Sequence, residues 1–472
     1  MRSRTGGRFV KALALTAGIA LSAVPGRAVW ADNLTDAFIG AYNTSGLLEQ
    51  NRALLRAADE DVAIALSALR PIINWAVEVS QDYTRSTVSD VVTRDEPSTF
   101  FTGLTLSQLV YDGGFSVLGK QSAQEIVLST RQALLDVEQF VLFRAANAYL
   151  FVLEQEEAVQ IRLNNVDVSS EELRASQDRF DVGEVTRTDV ALSEAQLASS
   201  QADLAVERGF LAQAQAEYVN AVGNAPGRTA GLPGLPSLPG SEAEAVALAQ
   251  RNHPAILSAQ HEVRALDLQV QQQRANLGPN VRLFADAGIR ESYDNDDNLE
   301  DASIALRFEQ PIYAGGRLAA SVRRSMATRD ASRANLLNVQ KDITQGVVDA
   351  FASFQAASAS LRASTERVRA SQVAFDGIRE EATLGARTTL DVLNAQQDLL
   401  DAQLAEVRSR VERTRSAYEL LQAQGLLTAE RLGLAVQIYD PTLYYNLVKK
   451  APAQVSRQSK DLDRVLKALR RD

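Results

Sequence analysis

His253 and His261 are the only imidazoles in the chain, eight residues apart and without companion ligands. A zinc site needs three or four convergent donors, so no metal centre is expected. There is no cysteine, which removes thiol chemistry, a disulfide framework and a lipid anchor on an N-terminal cysteine. No Gly-rich phosphate loop is present, and no nucleophile motif surrounds any serine. The acidic run Asp294-Asn295-Asp296-Asp297-Asn298-Leu299-Glu300-Asp301 sets oxygen ligands at alternate positions, as a calcium loop does. It lacks that pattern's glycine and distal glutamate, so it reads as a solvated loop with at most weak affinity for divalent cations. No catalytic residue, cofactor or resident metal is expected, and transport or structure is favoured over an enzyme.

Two motifs recur at one spacing. Tyr111-Asp112-Gly113-Gly114 returns as Tyr313-Ala314-Gly315-Gly316, an offset of 202 residues. Gly183-Glu184-Val185-Thr186-Arg187-Thr188-Asp189-Val190 returns as Gly385-Ala386-Arg387-Thr388-Thr389-Leu390-Asp391-Val392, again 202 residues on. A shared offset for separate motifs marks an internal duplication. Pro71 and Pro279 are looser equivalents. The divisions expected are a signal over 1–31, a first repeat over 32–225, a Gly/Pro-rich linker over 226–240, a second repeat over 241–434 and a C-terminal segment over 435–472.

Each repeat reads as helix, two strands, then two long helices: an α+β protein, mostly helical. Leu34 to Leu69 is helical in pattern and Pro71 stops it. Ile73, Trp75, Val77 and Val79 then alternate with other residues, and a polar loop over Thr93 to Ser98 leads to a second strand. In the second repeat Val281, Leu283, Ala285, Ala287 and Ile289 alternate, then Ile304, Leu306 and Phe308. Arg282, Asp286, Arg307 and Glu309 fall between them. The strands are expected over about 72–84, 100–111, 280–292 and 302–313. Trp75, Tyr83, Phe100, Phe101, Phe284, Tyr293 and Tyr313 flank them. Strands of about ten residues, one apolar face and terminal aromatics fit an outer-membrane barrel. Four strands cannot close one, and an open edge in lipid leaves backbone groups unpaired, so the barrel must be shared among subunits.

The helices are the larger part. From Gly316 to about Glu381 nothing interrupts the helical pattern, on the order of 100 Å at ~1.5 Å per residue. Past Asp391, the positions Leu400, Leu404, Val407, Val411, Thr414, Tyr418 and Leu421 step by four and three. That is a heptad, and it predicts a left-handed coiled coil. The C-terminal Val455 to Asp472 is open between an amphipathic helix and a disordered tail.

At the N-terminus, Arg2, Arg4, Arg8 and Lys11 precede an apolar run, Ala12 to Val24, and small residues at Val29-Trp30-Ala31. This is a secretory signal pattern, with a mature start expected at Asp32. Loss of its five basic residues takes the formal net charge from −10 to −15. So acidic a chain is a poor partner for nucleic acid.

These features together resemble the TolC family of outer-membrane channel-tunnels, over Asp32 to about Leu434. The strand-to-helix junctions at Gly113-Gly114 and Gly315-Gly316 look like that family's, and Gly385 to Leu393 looks like its helix turn at the periplasmic entrance. The resemblance implies a homotrimer with one twelve-stranded barrel and a periplasmic helical tunnel. It also implies two partners, a periplasmic membrane-fusion adaptor and an inner-membrane transporter driven by ATP or protons. It places an acidic ring at Asp391, with Asn394 standing where the family has a second acid. An ordinary helix cap after Thr388-Thr389 is the plainer alternative for Asp391. Crowded carboxylates in a ring would raise its pKa. The resemblance also makes Arg387 and Asp189 gate contacts, while Ala382 replaces a gate tyrosine. The expected function is an exit duct for type I protein secretion, for efflux of small molecules, or for both. A multidrug-efflux duct alone and a periplasmic coiled-coil adaptor are the alternatives.

Overall fold

The computed structural model describes residues 33–89, 91–95, 98–292, 298–453 and 456–469. The expected signal and Asp294 to Asp297 of the acidic loop lie outside them. The first repeat runs α1 (Leu34–Thr44), α2 (Gly46–Ser67), β1 (Ile72–Gln81), β2 (Thr84–Val88), β3 (Val91–Asp95), β4 (Ser98–Tyr111), α3 (Phe115–Asp181) and α4 (Arg187–Val222). The second runs α5 (Glu242–Asn252), α6 (Pro254–Ala275), β5 (Asn280–Ser292), β6 (Asn298–Glu309), α7 (Arg317–Thr383) and α8 (Thr389–Ala423). Two short helices follow, α9 (Pro441–Val448) and α10 (Arg457–Leu469).

The duplication is exact in helix length for three pairs. The helices α1 and α5 have 11 residues each, α2 and α6 have 22, and α3 and α7 have 67. The offset is 208 residues up to the first strand (Leu34 to Glu242, Ile72 to Asn280) and 202 beyond the second (Phe115 to Arg317, Arg187 to Thr389). The six residues are lost between paired strands, where the first repeat carries the extra hairpin β2–β3. That hairpin replaces much of the polar loop expected over Thr93 to Ser98.

Leu34 to Leu69 is two helices rather than one. Ser45 ends α1 and caps α2, its Oγ accepting from the Leu48 N–H at 3.3 Å. The second repeat breaks at the equivalent place, at His253, with Pro254 as the first residue of α6. His253 is thus the N-cap of α6, the helix that holds His261. His253 Nδ1 accepts from the Ala255 N–H at 3.2 Å, and burial lowers its pKa. His261 reaches Glu125 on α3 at 2.7 Å.

The strands β1-β4-β5-β6 form one antiparallel sheet in that order. β6 ends at Glu309, short of the expected Tyr313, because Pro311 has no N–H to donate to a ladder. The register sorts the side chains. Ile73, Trp75, Val77 and Val79 stand beside Leu106, Leu104, Thr102 and Phe100. The same face continues through Ala285, Ala287 and Ile289 to Ile304, Leu306 and Phe308. It is bare in the protomer: Trp75 is 73% exposed and Ile304 80%. The opposite face carries Asn74, Glu78, Thr105, Arg282, Asp286, Arg290 and Arg307. Phe101 and Phe284 also lie there, so they are not part of an aromatic girdle facing lipid. The Phe101 ring lies over the paired Gly103 and Gly288, where a Cβ on either would meet it at 2.8 or 2.7 Å. An aromatic ring covering bare backbone in this way pins a register.

The principal core sits at mid-height on the helices. Phe38, Leu55, Leu142, Tyr149, Tyr218 and Leu427 belong to it, and Phe38 meets Tyr418 edge-on at 5.8 Å. Every position of the α8 heptad, from Leu400 to Leu421, is buried. Linker 226–240 is held down by the Tyr149 hydroxyl, which donates to the Gly231 carbonyl at 2.8 Å. In the C-terminal segment α10 is amphipathic and lays Leu462 against Tyr444 and Val448 of α9. No described helix is long and apolar enough to cross a membrane.

Candidate functional site

The long helices reverse direction at two turns built alike. At the end of α3, Gly183 adopts φ 84°. Its N–H donates to the Phe180 carbonyl, and that of Glu184 to Arg179, both at 2.9 Å. Gly385 repeats this at φ 75°, with Gly385 bonded to Ala382 and Ala386 to Glu381. These are Schellman closures, which place a glycine where other residues are strained. A capping box then starts the next helix. Thr186 N–H donates to Asp189 Oδ2 at 2.9 Å, and Thr388 N–H donates to Asp391 Oδ2 at 2.9 Å. Both threonine hydroxyls donate to the same carboxylate oxygens, at 2.7 and 2.8 Å. The Gly-x-x-Thr-x-x-Asp motif is thus one complete helix–turn–helix closure, written twice.

The expected site residues fall around this turn. Asp391 is engaged by its own helix cap, and the bonds from the Thr388 backbone and hydroxyl lower its pKa. These donors are local to the protomer, whereas the crowded-carboxylate expectation concerns neighbouring copies around an axis. Asp189 is lowered for the same reason, by Thr186. Asn394 is exposed one turn further along α8. Arg387 Nε pairs with Glu381 at 2.8 Å, across the turn itself, and its pKa is raised by that bond. Within one protomer, among the described residues, Arg387 is paired with Glu381 and not with Asp189. Ala382 is buried against Phe375, Val392, Ala395 and Leu399, a position too tight for a large ring to keep this packing.

Two further links tie the hairpins together above the turn. Gln396 Nε2 of α8 donates to Asn165 Oδ1 at 2.8 Å and to Ser169 Oγ at 2.9 Å, both on α3. Asn165 Nδ2 in turn donates to Ser200 Oγ of α4 at 3.0 Å. Arg379 of α7 pairs with Glu172 of α3 at 2.9 Å. Sequence reasoning missed this seam. The heptad steps of α8, carried back from Leu400, land on Gln397 and Leu393, so the periodicity does not name Gln396.

At the other end of the helices, Gly114 and Gly316 cap α3 and α7 at φ 87° and 81°. Gly113 and Gly315, at 63° and 58°, precede them. Asp112 supports the first junction, accepting from the N–H groups of Gly114 at 3.0 Å and Ser116 at 2.8 Å. Ala314 has no carboxylate to do so in the second.

The profile of the family "Outer membrane efflux protein" matches residues 42–224 and 245–426, one stretch in each repeat. The outer membrane efflux protein BepC of Brucella suis is 35% identical over 443 residues, which cover 93% of this chain and 95% of that one. The alkaline protease secretion protein AprF of Pseudomonas aeruginosa is 26% identical, with 70% and 69% covered. Among solved structures, the outer membrane protein VceC of Vibrio cholerae superposes with a TM-score of 0.71 at 20% identity, over 83% of this chain and 96% of that one.

Proposed function

This chain belongs to the outer membrane efflux protein family, and from that membership we propose that three copies close one twelve-stranded barrel above a helical tunnel, giving an exit duct through the outer membrane. The family and the fold are those of a transport channel, with the barrel in the outer membrane and the helices in the periplasm. One observation carries the proposal. The four-stranded sheet leaves β1 and β6 with free edges and leaves its apolar face bare. In lipid every backbone donor and acceptor must be paired, so β6 of one copy must meet β1 of the next.

Cargo moves through the duct without covalent chemistry, and the energy comes from an inner-membrane transporter reached through a periplasmic adaptor. Relatives named for efflux and for protease secretion both match this chain, which supports a duct serving protein secretion, small-molecule efflux or both. At the periplasmic end the turns of α7–α8 converge on the symmetry axis. Asp391 forms the narrow acidic ring there, favouring cations, with Asn394 one turn beyond it. Arg387 and Asp189 act as gate contacts between neighbouring hairpins, which requires Arg387 to exchange Glu381 for a neighbour's acid. Reconstitution of the purified chain in planar bilayers, with its mass measured in detergent, tests the reading. A trimer with stable single-channel conductance is expected. A protein soluble without detergent and silent in bilayers would leave the periplasmic adaptor as the better account.

A further inference from the structure

We propose that the helix-side end of the sheet's polar face carries an oxyanion site, built from Arg282, Arg307 and Arg317, that takes carboxylate or phosphate groups of passing solutes. It rests on the reading above that this face lines the duct. The three arginines line a cavity of about 370 Å³ together with Asn280, Phe284 and Glu309. The β5–β6 register sets Arg282 directly opposite Arg307. Like charges so placed destabilise a strand pair. Some arginines elsewhere in the protein are neutralised, as Arg333 is by Asp267 at 3.0 Å and Arg410 by Glu157 at 2.7 Å. Among the described residues, no carboxylate lies in ion-pair reach of any of these three, and the single acid of the cavity, Glu309, is outnumbered.

The two paired guanidiniums are also held in place. Arg307 stands 4.8 Å over the Phe284 ring. Arg282 Nε donates to Asn280 Oδ1 at 3.3 Å. Both contacts fix the guanidinium while leaving its terminal N–H groups without a partner among the described residues. Such a fork matches the two oxygens of a carboxylate or phosphate.

The duplication supplies an internal control. Subtracting the two offsets maps Arg282 onto Asn74, Arg307 onto Thr105 and Arg317 onto Phe115. Asn74 and Thr105 are themselves register partners in β1–β4. The same backbone is therefore built in the first repeat with no charge at any of the three positions. The fold does not require the arginines, which leaves a ligand as their role.

The test is direct binding to the purified full-length protein in detergent at low ionic strength, where screening is weak. Isothermal titration calorimetry with inorganic phosphate, and separately with citrate, reads the site without requiring conductance. Binding by the wild type is expected, weakened about tenfold or more in the pair Arg282→Asn and Arg307→Thr, which installs the first repeat's own residues. The reciprocal pair Asn74→Arg and Thr105→Arg should add binding stoichiometry, and Arg317→Gln alone should weaken binding. A response to phosphate but not citrate assigns the site to phosphate, and the reverse to carboxylate. No binding by the wild type, or equal affinity in all variants, overturns the site. In bilayers, wild-type channels that conduct but ignore both anions also count against it. Binding without conductance instead removes the duct and leaves the site standing.

Discussion

Asp59 of α2 is fully buried, at 0% exposure, and neither carboxylate oxygen has a hydrogen-bond partner. Burial raises its pKa to about 6, against a weaker opposing pull from Arg131 and with a further push from Glu60. The folded protein therefore holds a proton that the unfolded chain releases near its ordinary value of 3.8. Stability from this group is full at low pH and falls as pH rises from about 3.8 to about 6, then stays level. The shift of roughly two units corresponds to about 3 kcal/mol at most, and to about 1–3 kcal/mol once water penetration is allowed for. Asp59→Asn removes the charge and keeps the shape. It should stabilise the protein by about 1–3 kcal/mol at pH 7.5 and by nearly nothing at pH 4. Thermal unfolding followed by circular dichroism in detergent, at both pH values, measures this. Destabilisation at pH 7.5 would refute the reasoning, because it would mean that a bond to Arg131 stabilises the ionised carboxylate by more than burial penalises it.

Thr186→Ala and Thr388→Ala should each cost about 1 kcal/mol by loss of a capping box, visible as earlier proteolysis at the helix turns. Equal resistance to protease would contradict the shared role of the two motifs. Gly223→Ala should cost about 2–4 kcal/mol, since its φ is 91° and a Cβ would lie 2.5 Å from Thr44 Oγ1. Gly385→Ala, with open space around it, should cost only the backbone strain of about 1–2 kcal/mol. Asp391→Asn should lower cation preference in reversal-potential measurements. Arg387→Ala should raise conductance, and unchanged values for both would return these residues to purely local roles.

Much of this fold was legible because it is periodic. Strand alternation fixes which residues share a face, and the 4–3 steps of α8 name its buried seam one by one. The breaks at Ser45 and His253 were harder, because apolar spacing runs through them, although Ser45 and Pro254 are ordinary start signals. The β2–β3 hairpin hid in a polar segment that reads equally as loop. For the site, the Gly-Thr-Asp motif announced the turn, but the Arg387–Glu381 pair depends on how tightly the Schellman closure folds the chain back. The arginine cluster was missed for a related reason. Arg282 and Arg307 are 25 residues apart in sequence and become opposite only through strand register.

The central claim is that β6 of one copy pairs with β1 of the next in a closed ring of three. The chain has no cysteine, so introduced cysteines report without interference. Ala76→Cys on β1 is combined in turn with Asp301→Cys, Ser303→Cys and Ala305→Cys on β6, all on the polar face. Oxidised samples from outer membranes are then separated by denaturing electrophoresis. The account predicts that at least one combination gives a ladder ending at three chains. Monomers only, or a ladder that stops at two or continues past three, would contradict it.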